Sequence, residues 1–337
     1  MPGLLRIRGK LNVQQFWPIG TADADTVNLV VDVNKQSFAF AADGKNFKTT
    51  QVFFGAVSKG KGSKPVISKA NKITIRLQGV DGPELHYKAA PLGAKLKPSK
   101  ARREAFNAAN KERRQHWGES AAVALGKKVA TFGADAIDCE FVSFVDAPKE
   151  VTDVYGRFIG NVRLGNQFDL DINTWLVEHG FAYPTFYTSM SREEIDELLI
   201  AMKKGIKTRR VFKDYSKDTG LFLAKLLYRR PKKGETIELE DDSGKLLMPK
   251  VYRRQVTYRM QKQVGLIAGT FADFLRNNPD ECNTTDDFLK LGVHSAPTHR
   301  LDEFVKGKTF TLRPHEIVFK EKGSTLVDSK GRELNEF

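Results

Sequence analysis

Residues 153–183, DVYGRFIGNVRLGNQFDLDINTWLVEHGFAY, form the stretch that decides the fold. A glycine turn leads into the apolar run RFIGNVRL, which predicts a strand beginning at Arg157. Leu170, Trp175 and Leu176 then predict a short helix, which Gly180 closes. The stretch therefore indicates α+β structure with an arginine at a strand end.

Two earlier segments also place charged residues at strand ends. Alternation over 72–80 predicts a strand in which Arg76 lies on the face opposite the apolar side chains Ile73, Ile75 and Leu77. The turn that follows carries Asp81 and Glu84. Further upstream, the sequence DAD ends at Asp25, just before the apolar run TVNLVVDV. Taken singly, each segment fits a solvated turn, since Asp, Gly and Pro are common turn residues.

Phosphodiester hydrolysis would use all of these residues together. A hard divalent cation prefers oxygen ligands, which Asp25, Asp81 and a turn backbone offer. Glu84 lies close enough in sequence to serve as the base for an attacking water. Charge on phosphoryl oxygens suits the rigid, bidentate guanidinium groups of Arg76 and Arg157. The pattern therefore predicts a metal-assisted phosphodiesterase.

The composition restricts the partners. Lys and Arg exceed Asp and Glu by 55 − 41 = 14 charges. This excess favours a polyanion such as nucleic acid, an anionic membrane surface or an acidic protein. No run of 18 apolar residues predicts a membrane span. Composition alone leaves these three kinds of partner open.

The cysteines and histidines predict no further metal site. Cys139 and Cys282 form no CxxC pair, and the six histidines lack metal-binding spacing. Two cysteines and an N-terminus without a recognisable signal peptide favour a reducing, cytoplasmic location. Removal of a leader would leave secretion open.

The chain divides by pattern into two parts. Residues 1–215 form the first domain, with insertions at about 33–70 and 85–115, and 216–337 form a smaller mixed α+β domain of unknown function. In the second part, ETIELEDDSGKLL and HEIVFKEKGSTLVDSKGREL predict hairpins, while FADFLRNN and DDFLKLG predict short helices. Ser191 and Glu194 predict the capping box of a long amphipathic helix in the first part.

In order and spacing, these segments resemble the staphylococcal nuclease (thermonuclease) family from about Asp23 to Tyr215. The resemblance includes the HWGESA helix start, residues 153–183 and the basic helix before RRVF. It implies a five-stranded OB-fold barrel with flanking helices that hydrolyses DNA and RNA with calcium. It covers nothing beyond about residue 216.

The resemblance also implies a role for each matched residue. Asp25 and Asp81 match the carboxylate ligands of calcium, and Gly82 matches the position that offers a backbone carbonyl. Glu84 matches the general base. The phosphate-binding arginines match Arg76 and Arg157. Attack of water on phosphorus, with departure of the 5′ oxygen, would leave 3′-phosphate ends.

Two departures from the family pattern lie beside these residues. Val154 replaces a residue that is usually basic, which removes one phosphate contact. Asp23-Ala24-Asp25 replaces the usual D-G-D, which is tolerable unless the turn requires positive φ. Both insertions border the expected site, where they could extend substrate contact or obstruct it.

A basic run and several tyrosines are candidates for contact with single-stranded or flexible nucleic acid. The basic candidates are Lys100, Arg102, Arg103, Arg113 and Arg114, and the aromatic candidates are Tyr155, Tyr183 and Tyr187. Each also fits an ordinary solvated or packing role.

Two functions therefore remain open from sequence. The first is a calcium-dependent nuclease, which retention of all five matched charged side chains favours. The second is a catalytically inactive OB-type nucleic-acid-binding or scaffold protein. A protein partner of the C-terminal domain is compatible with either.

Overall fold

The computed structural model describes residues 2–32, 37–60, 62–93, 96–220, 226–232, 235 and 244–337. The chain forms two compact units. The first comprises 1–80, 122–176 and 321–337, and the second comprises 81–121 and 177–320. The boundary expected at 215/216 falls inside the second unit, and the division into domains 1–215 and 216–337 stays a prediction.

The secondary structure is mixed. The strands are β1 (Leu4–Asn12), β2 (Thr26–Val31), β3 (Phe38–Ala41), β4 (Lys48–Thr49), β5 (Val57–Ser58), β6 (Lys64–Pro65), β7 (Lys72–Leu77), β8 (Val80–Asp81), β9 (Ala136–Phe144), β10 (Phe158–Leu164), β11 (Leu170–Asp171), β12 (Tyr183–Pro184), β13 (Phe186–Tyr187), β14 (Glu281–Thr284), β15 (His299–Arg300), β16 (Val305–Lys306), β17 (Thr309–Phe310), β18 (Ile317–Phe319) and β19 (Leu326–Val327). The α-helices are α1 (Lys100–Ala109), α2 (Gly118–Ala130), α3 (Ile172–Glu178), α4 (Arg192–Thr208), α5 (Arg210–Lys213), α6 (Pro249–Gln263), α7 (Phe271–Asn277) and α8 (Thr285–Leu291). Within the described residues, no helix is both long enough and apolar enough to cross a membrane.

Five strands of the first unit close into a barrel. β1 pairs with β2, β2 with β7, β10 with β9 and β9 with β1, all antiparallel, while β7 and β10 pair in parallel. This closed arrangement, flanked by helices, confirms the predicted five-stranded OB-fold.

Alternation along the strands fills the barrel interior. In β7, the apolar residues are buried and Arg76 is only partly so, as the period-two pattern predicts. In β10, Phe158 is buried and meets Phe53 and Phe141 edge-on, with ring centroids 5.2 and 5.9 Å away. Edge-to-face packing of this kind stabilises a core beyond simple burial.

The insertion at 33–70 adds strands to the barrel unit. β3 pairs with β1 and with β4, so Phe38–Ala41 and Lys48–Thr49 form a short hairpin. β5 pairs with β6 and with β19. Part of HEIVFKEKGSTLVDSKGREL forms the predicted hairpin: Val327 bridges Glu333 in antiparallel fashion, and Leu334 N–H donates to the Leu326 carbonyl. The earlier part of the segment does not join it, because β18 pairs with β13 and β14 in another sheet, while β19 also pairs with β5.

The second unit contains most of the helices and a four-stranded sheet, β13-β18-β14-β15. The predicted capping box begins α4: Ser191 N–H donates to the Glu194 carboxylate, and Glu194 N–H donates to Ser191 Oγ. α7 and α8 confirm the helices predicted over FADFLRNN and DDFLKLG. Most of the hairpin predicted at ETIELEDDSGKLL lies outside the described residues.

Candidate active site

Asp25 and Arg76 meet at one end of the barrel. Thr26 pairs with Arg76 in the β2–β7 register, and Leu77 N–H donates to the Asp25 carbonyl at 2.9 Å. The Arg76 guanidinium lies 2.5 Å from the Asp25 carboxylate, and it also donates to the Val80 carbonyl. The strand pairing thus joins two predicted site residues that lie 51 positions apart in a buried ion pair.

The Asp-Ala-Asp turn needs no glycine. Ala24 is buried and is not among the non-glycine residues with positive φ, which are Asn71, Lys97, Trp117, Phe168 and Arg209. The departure from D-G-D therefore causes no backbone strain at Ala24.

Arg157 stands directly before the barrel residue Phe158, which pairs with Ile75 of β7. Its guanidinium donates to the Asp153 carboxylate from Nε at 2.8 Å, and its Nη2 lies 2.7 Å from the same oxygen. The ring of Tyr155 lies 5.3 Å from the guanidinium carbon and is about half exposed. Arg157 is therefore at a strand end, as predicted, and is partly open to solvent.

Asp81 and Glu84 form the carboxylate pair of the second unit. The Asp81 side chain is fully buried and that of Glu84 is 11% exposed. Arg253 of α6 contacts both: its Nη1 donates to Glu84 Oε1, and Nη1 and Nη2 both lie 3.4 Å from Asp81 Oδ1. Gly82 belongs to the same turn. One guanidinium thus bridges the predicted metal ligand and the predicted base.

Gln115 holds the backbone of this turn. Its side-chain oxygen accepts from Glu84 N–H at 3.1 Å, and its own N–H donates to the Glu84 carbonyl at 2.7 Å. Its amide nitrogen donates to the Leu247 carbonyl just before α6. A side chain at Gly118 would approach the Glu84 carbonyl to 2.8 Å, so glycine permits this close contact.

Helix α6 brings three cationic side chains into this part of the second unit. Arg253 contacts the carboxylate pair, while Arg254 makes a bidentate contact to Asp280 at 2.6 and 2.7 Å. Lys250 lies 3.9 Å from the centre of the Phe319 ring. Burial is the largest effect on Lys250 and lowers its pKa to about 8, with nearby Asp280 opposing the shift.

The candidate nucleic-acid contacts separate by exposure. Lys100, Arg102 and Arg103 are exposed on α1. Tyr155 is about half exposed, and the other four candidates are less accessible: Arg113 and Arg114 are buried, Tyr187 is half-buried, and Tyr183 is buried with its hydroxyl donating to the Val211 carbonyl. Exposure therefore leaves Tyr155 and the α1 cations best placed to meet a polyanion.

Within the described part of the chain, no group of three or more His, Cys, Asp or Glu side chains is arranged to hold a metal ion. The predicted metal ligands include two carboxylates, from Asp25 and Asp81, and the Gly82 carbonyl. The structure places Asp25 in the first unit and Asp81 with Gly82 in the second. Their assignment as calcium ligands stays a prediction.

Comparison with known families gives one match. Residues 74–212 match the model described as staphylococcal nuclease homologue. The chain contains a staphylococcal nuclease-like domain. Comparison with curated proteins gave no match. The family match and the closed barrel confirm the predicted staphylococcal nuclease-like OB-fold, and a domain of this kind indicates a nuclease or nucleic-acid-binding role.

Two residues of the staphylococcal nuclease-like site region were not predicted from sequence, namely Arg253 and Gln115. Arg253 lies beyond the matched residues and 169 positions after Glu84. The available signal was the run KVYRR, whose cations at 250, 253 and 254 share one face of a helix. For Gln115, the sequence shows only a polar residue shortly before the start of a helix, which does not indicate a role in the site.

Proposed function

We propose that the staphylococcal nuclease-like domain is a calcium-dependent nuclease that hydrolyses DNA, RNA or both. The observation that carries the proposal is the buried Asp81–Glu84 pair within a match to a nuclease family. Buried carboxylates are unfavourable unless they hold a cation or hydrogen-bond donors. A pair of them beside a strand end therefore indicates a cation-dependent site.

The donor set fits a hard divalent cation. Asp25, Asp81 and the Gly82 carbonyl are oxygen donors of the kind that calcium prefers. The Asp81–Glu84 pair also already binds a cation, the guanidinium of Arg253. Calcium held by these residues would neutralise charge on the phosphate and orient it.

The remaining side chains supply the rest of the proposed reaction. Glu84 accepts the proton of a water whose oxygen attacks phosphorus, and the bond to the 5′ oxygen breaks to leave a 3′-phosphate end. Arg76 and Arg157 bind phosphoryl oxygens, because a planar guanidinium matches them in a bidentate manner. Each exchanges its present carboxylate partner, Asp25 or Asp153, for the substrate.

Removing calcium tests the proposal directly. Cleavage of single-stranded DNA and RNA is expected in excess Ca²⁺ and is expected to stop in excess chelator, because no side chain can replace the lost charge at the phosphate. Readdition of Ca²⁺ restores cleavage. Nucleic-acid binding that persists while no calcium-dependent cleavage occurs would reject the nuclease in favour of a binding protein.

A salt titration tests the α1 surface. Changing Lys100, Arg102 and Arg103 together to Gln is expected to reduce the steepness of the salt dependence. The slope of the logarithm of the binding constant against the logarithm of the salt concentration should fall in magnitude by roughly 2, since each phosphate contact on a single strand contributes about 0.7. The matched control changes the exposed lysines Lys203, Lys306 and Lys308 to Gln and keeps the wild-type slope. Equal slopes for the two triple variants would exclude α1 as the binding face.

A nucleic-acid-binding protein without catalysis is the second candidate. Arg253 favours it, because its guanidinium occupies the carboxylates that a nuclease would use. The two candidates differ in the calcium experiment: only the nuclease produces shortened strands with 3′-phosphate ends.

A further inference from the structure

Arg253 is anchored where it contacts the carboxylate pair. Its neighbours Tyr252, Val256 and Met260 pack with Phe106 and other apolar side chains in one buried cluster of the second unit. The Tyr252 hydroxyl donates to the Arg114 carbonyl, and Thr257 Oγ1 lies 3.2 Å from the Tyr87 hydroxyl. Packing of α6 therefore fixes the backbone position of Arg253. This keeps its guanidinium at high effective concentration beside Asp81.

The contact is a cation between two acids. Asp81 is fully buried, and the Arg253 side chain is 26% exposed, so the guanidinium covers the pair on one side while remaining open to solvent on the other. Both carboxylates contact the guanidinium of Arg253, which carries a single positive charge. A cation close to two carboxylates favours their charged form.

A divalent cation on Asp81 Oδ1 would lie close to both guanidinium nitrogens, which are each 3.4 Å from that oxygen. Like charges at such a distance repel strongly where water is largely excluded. Metal binding at Asp81 therefore weakens the guanidinium contact, and the guanidinium contact weakens metal binding. Because Arg stays protonated at any ordinary pH, its charge cannot be removed by titration.

We infer that Arg253, from outside the family-matched residues, is a further active-site residue that competes with the divalent cation for Asp81 and Glu84 and so sets the metal affinity. This inference rests on the proposed function for the identity of the metal. A metal ion that binds Asp81 releases Arg253 from the carboxylate pair. The extension beyond residue 212 thereby determines the calcium concentration at which the site fills.

Calorimetric titration of CaCl₂ into the full chain tests the inference. Arg253→Met is expected to lower the apparent Kd about tenfold or more, since close charge pairs typically couple at that level. Arg254→Met is the matched control, because it removes the same charge from the same helix but from a contact to Asp280. It is expected to keep the wild-type Kd.

Arg253→Lys decides the matter if Arg253→Met does not fold. A lysine keeps the charge but has no fork with which to bridge two carboxylates, so its Kd is expected between those of wild type and Arg253→Met. If Arg253→Met folds and binds calcium with the wild-type Kd, the inference is overturned. If only Arg253→Lys folds, a wild-type Kd for that variant overturns it. Weaker calcium binding by Arg253→Met with weaker binding of DNA also overturns it, and would make Arg253 a phosphate ligand instead.

The inference and the proposed function fail separately. Tighter calcium binding by Arg253→Met without any cleavage supports the competition and rejects the nuclease. Calcium-dependent cleavage with the same Kd in wild type and Arg253→Met supports the nuclease and rejects the competition.

Discussion

Glu84→Gln is expected to slow calcium-dependent cleavage by about 10²–10⁴-fold, the usual contribution of a general base. The amide has the shape of the carboxylate but cannot accept the proton of the attacking water. The turn itself should persist, because Gln115 holds Glu84 through backbone N–H and carbonyl groups that the substitution leaves in place. Single-turnover cleavage of single-stranded DNA at saturating Ca²⁺ measures the loss.

Glu104→Gln is the matched control for this experiment. Glu104 is exposed on α1, so the same chemical change is made away from Asp81 and Glu84. Its cleavage rate is expected to equal that of wild type. A Glu84→Gln variant that cuts as fast as Glu104→Gln would show that another group takes the proton, although the match of residues 74–212 to the family model would stand.

Phe158→Ala is expected to lower the free energy of unfolding of the barrel by about 3–5 kcal/mol, the usual cost of truncating a buried phenylalanine. The side chain is fully buried and lies between the rings of Phe53 and Phe141. Its loss leaves a cavity that these two rings cannot fill without moving. Urea unfolding of the full chain measures the change.

Phe144→Ala is the control for the barrel prediction. Phe144 ends β9 and is 42% exposed, so its truncation is expected to change the unfolding free energy by no more than about 0.5 kcal/mol. A Phe158→Ala variant as stable as Phe144→Ala would mean that the barrel core does not depend on the β10 ring.

Local patterns predicted the strands and caps well. The alternation in β7 placed Arg76 away from the buried side of the strand, and Ser191 and Glu194 marked the start of α4. Strand alternation and the helix capping box both depend only on residues a few positions apart, so the local sequence is enough to predict them. In HEIVFKEKGSTLVDSKGREL, the turn residues marked the reversal at 328–331, but they did not show that β18 and β19 each pair with strands distant in sequence. Local turn residues do not specify a strand's partner when long-range pairing competes.

Local sequence patterns also did not predict which side chains are exposed to solvent. Tyr155 precedes β10 and Tyr183 begins β12, yet Tyr155 is about half exposed and Tyr183 is buried against Val211. Arg113 and Arg114 lie in a basic run, yet both are buried. Which members of a basic or aromatic run meet solvent depends on what packs over them.

By itself, the sequence determined individual strands and the acids and arginines beside them, because alternation and turn chemistry act within a few residues, while the OB-fold barrel was implied by the family resemblance. Only the tertiary structure decided how those charges are partnered. Arg76 pairs with Asp25 because β2 and β7 are neighbours, and Arg253 reaches Asp81 and Glu84 because α6 packs beside their turn. No local pattern joins Glu84 to a residue 169 positions away, since that contact follows from burial of the apolar face of α6.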